Sequence, residues 1–378
     1  MGVYADHAAT TPLDPAALDA MIPFLSGNYH NPSSLYAKGR AVRNAIEEAR
    51  ALIAGYLGCD SGEIYFTSGG TEAANLAVLG AVRSAGRKGR VLIGATEHYA
   101  VGKAAAALVK EGFSVVTVPC DGLGRITPEA LARNITDDTV LVSIMWANNE
   151  TGMIQPIGEL CRVARRHGAI FHTDAVQALG SQRIRVDESG IDLLSISSHK
   201  IYGPKGCGAL FIRRGTPIAP IIYGGSQEKH IRAGTENPAA VAGFGKAVEL
   251  LSAERESRVK SQRLIARRFM EKIAGTPGIL CNSPQDLVVP GFISLSIAGV
   301  ESEPLLLLLG ASGIDASMGA ACNAETIEPS FVLRAMGVPK SHIHGSVRFS
   351  FGKDNTFEDA DFAADTLTAV IRRLRKLN

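Results

Sequence analysis

Over roughly the first 250 residues, short apolar runs rich in β-branched residues alternate with longer stretches whose apolar positions recur at helical spacing. Residues 64–67, 90–93, 114–118, 140–146, 169–173, 193–197 and 209–212 predict strands, and residues 42–57, 71–85, 100–111 and 157–167 predict helices. "ITPEAL" adds a start signal, with Thr127 as N-cap, Pro128 in the first helical position and Glu129 behind it. This alternation reads as βαβ units, an α/β fold with a mostly parallel central sheet flanked by helices. Residues 244–273, rich in Ala, Leu, Glu, Lys and Arg, predict one long helix. After it the texture changes to "GFISLSIAG", a leucine-rich helix, "SVRFSFG" and a last helix from Phe357. That is the pattern of a smaller α+β domain, joined by the N-terminal strand. The expected division is 13–255 for the large domain and 1–12 with 256–378 for the small one.

Composition narrows the class. The 378 residues are 46% apolar, 20% charged and 6% aromatic, ordinary for a soluble α/β protein. A net charge of +2 argues against nucleic acid or an anionic membrane as the main partner. The basic run Arg372-Arg373-Leu374-Arg375-Lys376 suits the last turn of a helix, where cations meet the negative dipole end. No apolar run reaches membrane-spanning length, and "MGVYADHAATT" lacks the basic and apolar regions of a secretory signal. Asp6 stands where an acylation motif starting at Gly2 needs Ser or Thr. The six cysteines are scattered, with no C-x-x-C pair and no Cys/His zinc spacing, which predicts no metal, free thiols and a reducing cytoplasm.

The candidate chemistry sits after the strands. "SSHKIYGPKGCGAL" puts Lys200 at the tip of a strand and follows it with glycines. Lys200 reads either as a solvated turn or as a desolvated amine able to form Schiff bases. "FTSGGTEAAN" is a strand, a Ser-Gly-Gly-Thr turn and a helix. Its free N–H groups could bind phosphate, although it is neither a nucleotide P-loop nor a G-x-G-x-x-G turn. Asp174 in "HTDAVQALG" is a cap or, if buried and ionised, the partner of a cation such as a pyridinium, with Gln177 three residues on. His98 in "ATEHYAV" caps a helix or stacks on a flat ring, and "WANNETG" offers amides and a carboxylate after another strand. Loops at the carboxyl ends of an open α/β sheet meet in one crevice. A lysine, a strand-end aspartate, a ring stacker and a phosphate cradle together describe a pyridoxal phosphate site.

In this order, "VYADHAATTPLDP", "NPSS", "FTSGGTEAAN", "ATEHYAV", "NNETG", "HTDAVQ", "SSHKIYGPKG", "RAGTENP" and "GAAC…EPSFVLRAMG…SVRFSFG" resemble the motifs of cysteine desulfurases. These form part of the class V aminotransferase branch of fold-type I pyridoxal phosphate enzymes, and the resemblance spans essentially the whole chain. It implies that Lys200 forms the Schiff base with the cofactor and moves protons, while Asp174 pairs with the pyridinium nitrogen. It implies further that Gln177 and Asn149 sit near the ring oxygen and His98 stacks on the ring. Gly70, Thr71, Ser197 and His199 would hold the phosphate, with Thr235 supplied by the second subunit of a homodimer. Arg348 would clamp the substrate carboxylate, a task suited to its bidentate fork.

Cys322 in "ASMGAACNAETIEPSFVLRAMG" matches the family's nucleophile. The resemblance implies attack of its thiolate on the sulfur of L-cysteine, a persulfide and released alanine. The sulfur would then pass to an acceptor protein, an iron–sulfur scaffold being one candidate. Met318, Ala320 and Asn323 stand where the family often has hydroxylated residues, which bears on rate and acceptor. The other five cysteines read as inert thiols. An aminotransferase or a selenocysteine lyase on the same scaffold, and a non-catalytic cofactor-binding scaffold, remain as alternatives.

Overall fold

The structure, a computed structural model, describes residues 2–284, 286–319 and 329–376. The strands in chain order are β1 (Val3–Tyr4), β2 (Ile64–Thr67), β3 (Arg90–Gly94), β4 (Ser114–Val118), β5 (Thr139–Ser143), β6 (Ile170–Asp174), β7 (Leu193–Ser197), β8 (Gly208–Ile212), β9 (Ile279–Cys281), β10 (Phe292–Ile297), β11 (Ile314–Asp315) and β12 (Ser346–Ser350). Among the described residues the main sheet has seven strands in the order β2-β8-β7-β6-β5-β3-β4. The β4-β3-β5-β6-β7 run is parallel, and β8 lies antiparallel to both β7 and β2. The sheet is covered on both faces, so β5, β7 and β8 are buried along their whole length. Leu194 and Ile196 of β7 and Phe211 of β8 enter one core; Leu193, Leu210 and Ile212 enter the other. That is the period-two alternation of a strand between two layers.

Residues 144–146 were expected in a strand. Pairing continues there, Ile144 N–H to His172 O and Trp146 N–H to Asp174 O, although the regular ladder ends at Ser143. The helix after β2 runs through Gly70–Asn75, Leu76–Gly80 and Ala81–Ser84, and its middle turn is π-wound. Thr127 caps Pro128–Asn134 by accepting the Ala130 N–H. The long helix is Pro238–Ile273, six residues longer at its start than expected, because Asn237 caps it and Pro238 takes its first position.

A second sheet, β12-β10-β9, is antiparallel, and β1 pairs in parallel with β11. Its core gathers Val3, Ala5, Phe269, Leu295, Phe349 and Leu367 from distant parts of the chain. Helix Pro238–Ile273 joins both cores: Phe244 and Leu251 pack beside the main sheet, Ile265 and Phe269 beside the second. Residues 255 and 256 therefore lie inside one continuous helix.

Glu228, Lys229 and His230 are three successive non-glycine residues at φ 43°, 55° and 68°. Each such residue costs about 1 kcal/mol or more and persists only where its surroundings fix it.

Candidate active site

The carboxyl ends of β3, β5, β6 and β7 lie along one edge of the sheet, and the loops that follow them meet in a cavity of about 320 Å³. Its lining includes Gly70, Thr71, His98, Asn149, Asp174, Gln177, Ser197, His199, Lys200 and Arg348. Ten of the sequence-derived site residues thus converge. Thr235 is exposed and lies outside this lining. Cys322 lies outside the described residues.

Gly70 opens the helix after β2, and a Cβ there would lie 2.7 Å from Val176 Cγ2 and 3.6 Å from Ser197 Cβ. The glycine therefore lets this turn close against Val176, just past the end of β6. Ser197 Oγ is buried with no hydrogen-bond partner, an orphaned donor beside free helix-start N–H groups. That combination fits an anionic phosphate group. His199, two residues on, bonds through Nδ1 to Thr10 Oγ1 at 3.1 Å, and burial with nearby Lys200 and Lys205 pushes its pKa down to about 4.

Asp174 ends β6 as a 6%-exposed carboxylate whose Oδ1 accepts the Val176 N–H at 2.9 Å. Burial raises its pKa, and His98 and Lys200 pull it back. A carboxylate so placed calls for a cation. Lys200, half-buried, donates to Ala8 O and, at 2.8 Å, to Ala9 O. His98 bears out the capping reading of its motif. It caps helix Tyr99–Lys110, Nδ1 accepting the Ala100 N–H at 3.1 Å, and it also lines the cavity. The donor set thus suits pyridoxal phosphate: an amine, a buried acid, a flat ring and a cradle of N–H and hydroxyl groups.

The second sheet contributes Arg348 from β12. Its Nη2 is ion-paired with Asp6 at 2.6 Å and its Nη1 donates to Asn149 O at 2.6 Å. Gln177 Nε2 donates to Ala8 O at 2.9 Å. The N-terminal strand segment therefore serves the site through Asp6, Ala8 and Ala9.

The chain matches the profile of the family described as aminotransferase class-V over residues 3–362. It belongs to that family. Among aminotransferase class-V relatives, the cysteine desulfurase IscS of Dictyoglomus turgidum is 45% identical over 378 residues, covering 100% of this chain and 96% of the relative. The cysteine desulfurase IscS of Methanosarcina thermophila is 44% identical, with 100% and 93% covered. A solved NifS-like protein superposes with a TM-score of 0.93 at 33% identity over 99% of this chain and 100% of its own. SspA, solved in complex with cysteine, gives a TM-score of 0.82 at 33% identity over 93% and 99%.

Two further buried carboxyls adjoin the cavity residues. Glu97, next to His98, accepts the Met145 N–H through Oε1 at 2.6 Å and leaves Oε2 buried without a partner. Burial pushes its pKa well above the carboxylate range. Glu150, next to Asn149, accepts from Ser330 Oγ; burial raises its pKa to about 7 against the pull of Ser330 and Arg348. Glu150 was visible only as the carboxylate of "NNETG", since a sequence pattern does not report desolvation. Among the described residues no cluster of His, Cys, Asp and Glu could hold a metal ion, and no helix is long and apolar enough to cross a membrane.

Proposed function

We propose that the protein is a pyridoxal 5′-phosphate-dependent cysteine desulfurase, converting L-cysteine to L-alanine and carrying the sulfur as a persulfide on Cys322. The observation that supports this best is the convergence of Lys200, buried Asp174, His98 and the Gly70–Ser197 cradle in one cavity, in a chain 45% identical to a named cysteine desulfurase.

When bound, pyridoxal phosphate supplies an aldehyde for amines and a conjugated ring that accepts electrons from Cα. Lys200, whose amine reaches into the cavity, would be the group that anchors the cofactor and, once freed, the base that takes the substrate Cα proton and later returns one. Asp174 would keep a proton on the ring nitrogen, His98 would cover the ring face, and Asn149 and Gln177 would sit on the side of its oxygen. Gly70, Thr71, Ser197 and His199 would hold the phosphate, together with Thr235 of the partner subunit in a homodimer. Arg348, neutralised by Asp6 while it waits, receives the substrate carboxylate through its fork. Cys322 thiolate attacks the substrate sulfur. The S–S bond forms as the C–S bond breaks, and its electron pair stays with the substrate carbon, which a proton then completes to alanine.

The described thiols support Cys322 by exclusion. Burial raises the pKa of Cys59, Cys120, Cys161, Cys207 and Cys281, to about 12 for Cys59 and Cys207, and none lines the cavity. A thiol held protonated is a poor nucleophile.

We read the chain as a cofactor-binding domain over 13–255 and a smaller domain over 1–12 and 256–378, the second being the one whose sequence range includes Cys322. The sulfur then passes to an acceptor protein, an iron–sulfur scaffold being the candidate, in the cytoplasm. The test is Cys322→Ser. The variant keeps the visible colour of bound cofactor but releases no sulfide from L-cysteine, while wild-type protein without reductant gains one sulfur on the Cys322 peptide by mass spectrometry. Sulfide at the wild-type rate from the serine variant overturns the assignment and favours a selenocysteine-type lyase.

A further inference from the structure

Residues 224–236, the stretch that carries Thr235, are fastened from beneath. Arg50, 5% exposed on helix Ala37–Leu57, grips Glu228 with both arms of its guanidinium, Nη1 to Oε2 at 2.8 Å and Nη2 to Oε1 at 2.7 Å. Nη1 also donates to Ile64 O at 2.7 Å, and Glu228 Oε2 accepts the Phe66 N–H at 2.8 Å. The pair is thereby bonded to β2, the strand that leads into the cofactor cradle. Here the left-handed run Glu228-Lys229-His230 begins, a conformation these side chains resist. A bidentate fork has the directionality to fix such a backbone, where a point charge does not.

Further along, Arg232 Nε bonds Glu72 Oε1 at 2.8 Å, and Gln227 Oε1 accepts the Gly234 N–H at 3.1 Å. Glu72 follows Thr71 in the cradle and accepts the Ser68 N–H at 2.9 Å. The stretch is thus tied to the rest of the chain through Glu228 and Arg232 and braced within itself by Gln227, yet Thr235 beyond them is exposed and does not line its own chain's cavity. Tyr223, just before it, is 80% exposed. A buried ion pair is a weak source of stability but an effective way to select one conformation.

We infer that Arg50, acting through Glu228, is a positioning residue in trans: it sets the arm that one subunit extends into the cofactor site of its partner. This rests on the reading of Thr235 as a phosphate ligand for the second subunit. Arg50 does not touch that site. Its effect is carried by the shape of the Glu228–His230 turn.

The test uses purified heterodimers in which one subunit carries Lys200→Ala, so that a single site can link the cofactor covalently. Pyridoxal phosphate is titrated against the visible band of that Lys200-linked site. Arg50→Lys placed on the Lys200→Ala subunit alters the arm reaching the linked site. Its dissociation constant is expected to rise about tenfold, the scale of one charge-assisted hydrogen bond. Arg50→Lys on the other subunit leaves the constant within about twofold, because the arm it alters serves the unlinked site. Glu228→Gln, nearly isosteric, repeats the asymmetry if the arginine variant folds poorly. Equal weakening in both arrangements, or weakening only when Arg50→Lys shares a chain with the linked lysine, overturns the inference. Thr235→Ala on the Lys200→Ala subunit separates the two ideas. If it weakens binding and Arg50→Lys and Glu228→Gln do not, the inference fails and the dimer reading stands. If Thr235→Ala has no effect in trans, the dimer reading fails and takes the inference with it.

Discussion

His172 sits in the middle of the parallel sheet, fully buried, with Nδ1 2.8 Å from Ser143 Oγ on β5 and Nε2 2.9 Å from Ser195 Oγ on β7. Burial lowers its pKa from 6.5 to about 3. A histidine kept neutral in the fold binds its proton in the unfolded chain first. Its contribution to stability is therefore complete above pH 6.5 and lost progressively as pH falls from 6.5 towards about 3. Between about pH 7.5 and about pH 5, linkage gives a loss of about 2 kcal/mol from this one side chain. Glu97 and Glu150 titrate with the opposite sign, since a raised carboxyl stabilises at low pH and loses that contribution as pH rises. Wild-type stability alone thus mixes opposing effects, and the difference from a His172→Gln variant isolates the histidine. Urea unfolding, followed through Trp146, the single tryptophan, is compared at the two pH values with cofactor and protein concentrations fixed. The wild type should lose about 2 kcal/mol more than the variant, or about 0.7 M in midpoint for an m-value of about 3 kcal/mol/M. Whatever the variant costs at neutral pH is irrelevant to this difference. Parallel pH dependences, within about 0.5 kcal/mol, would refute the claim that His172 is held neutral by the fold.

Lys200→Ala should give a colourless protein after dialysis if the half-buried amine is, as proposed, the group that retains the cofactor; a yellow product stable to dialysis counts against it. Arg348→Lys keeps the charge against Asp6 but loses the fork, so KM for L-cysteine should rise about tenfold or more, kcat changing less. Gly152 has φ 75°, and a Cβ there would lie 2.8 Å from Phe292 Cβ, so Gly152→Ala should destabilise by about 2 kcal/mol, read as a lowered melting temperature. Sedimentation of the wild type should give twice the mass of one chain, and a fully active monomer would exclude a partner role for Thr235.

The chain's own pattern was enough to place the elements that build the site. β2, β4 and β7 fall on the expected residues: β7 is a fully buried, continuous apolar run, while the partly exposed edge strand β4 is marked by its β-branched residues. Lys200, Asp174, His98 and the Gly70–Thr71 turn stood out as candidates for a related reason, since each follows a strand and strand ends are local, whereas roles for Ser197, His199 and Arg348 came only from the family resemblance. What the pattern left open was desolvation and long-range partnership. Whether His98 is a cap or a cavity wall depended on tertiary placement, and it is both. Glu97, Glu150 and His172 look like ordinary polar residues in the sequence, and only packing on every side removes their water and shifts their protonation. The Arg348–Asp6 pair joins residues 342 positions apart, and Arg50–Glu228 joins residues 178 apart. Neither separation has a local signature, since such pairs form only when the fold carries both charges out of water to one place.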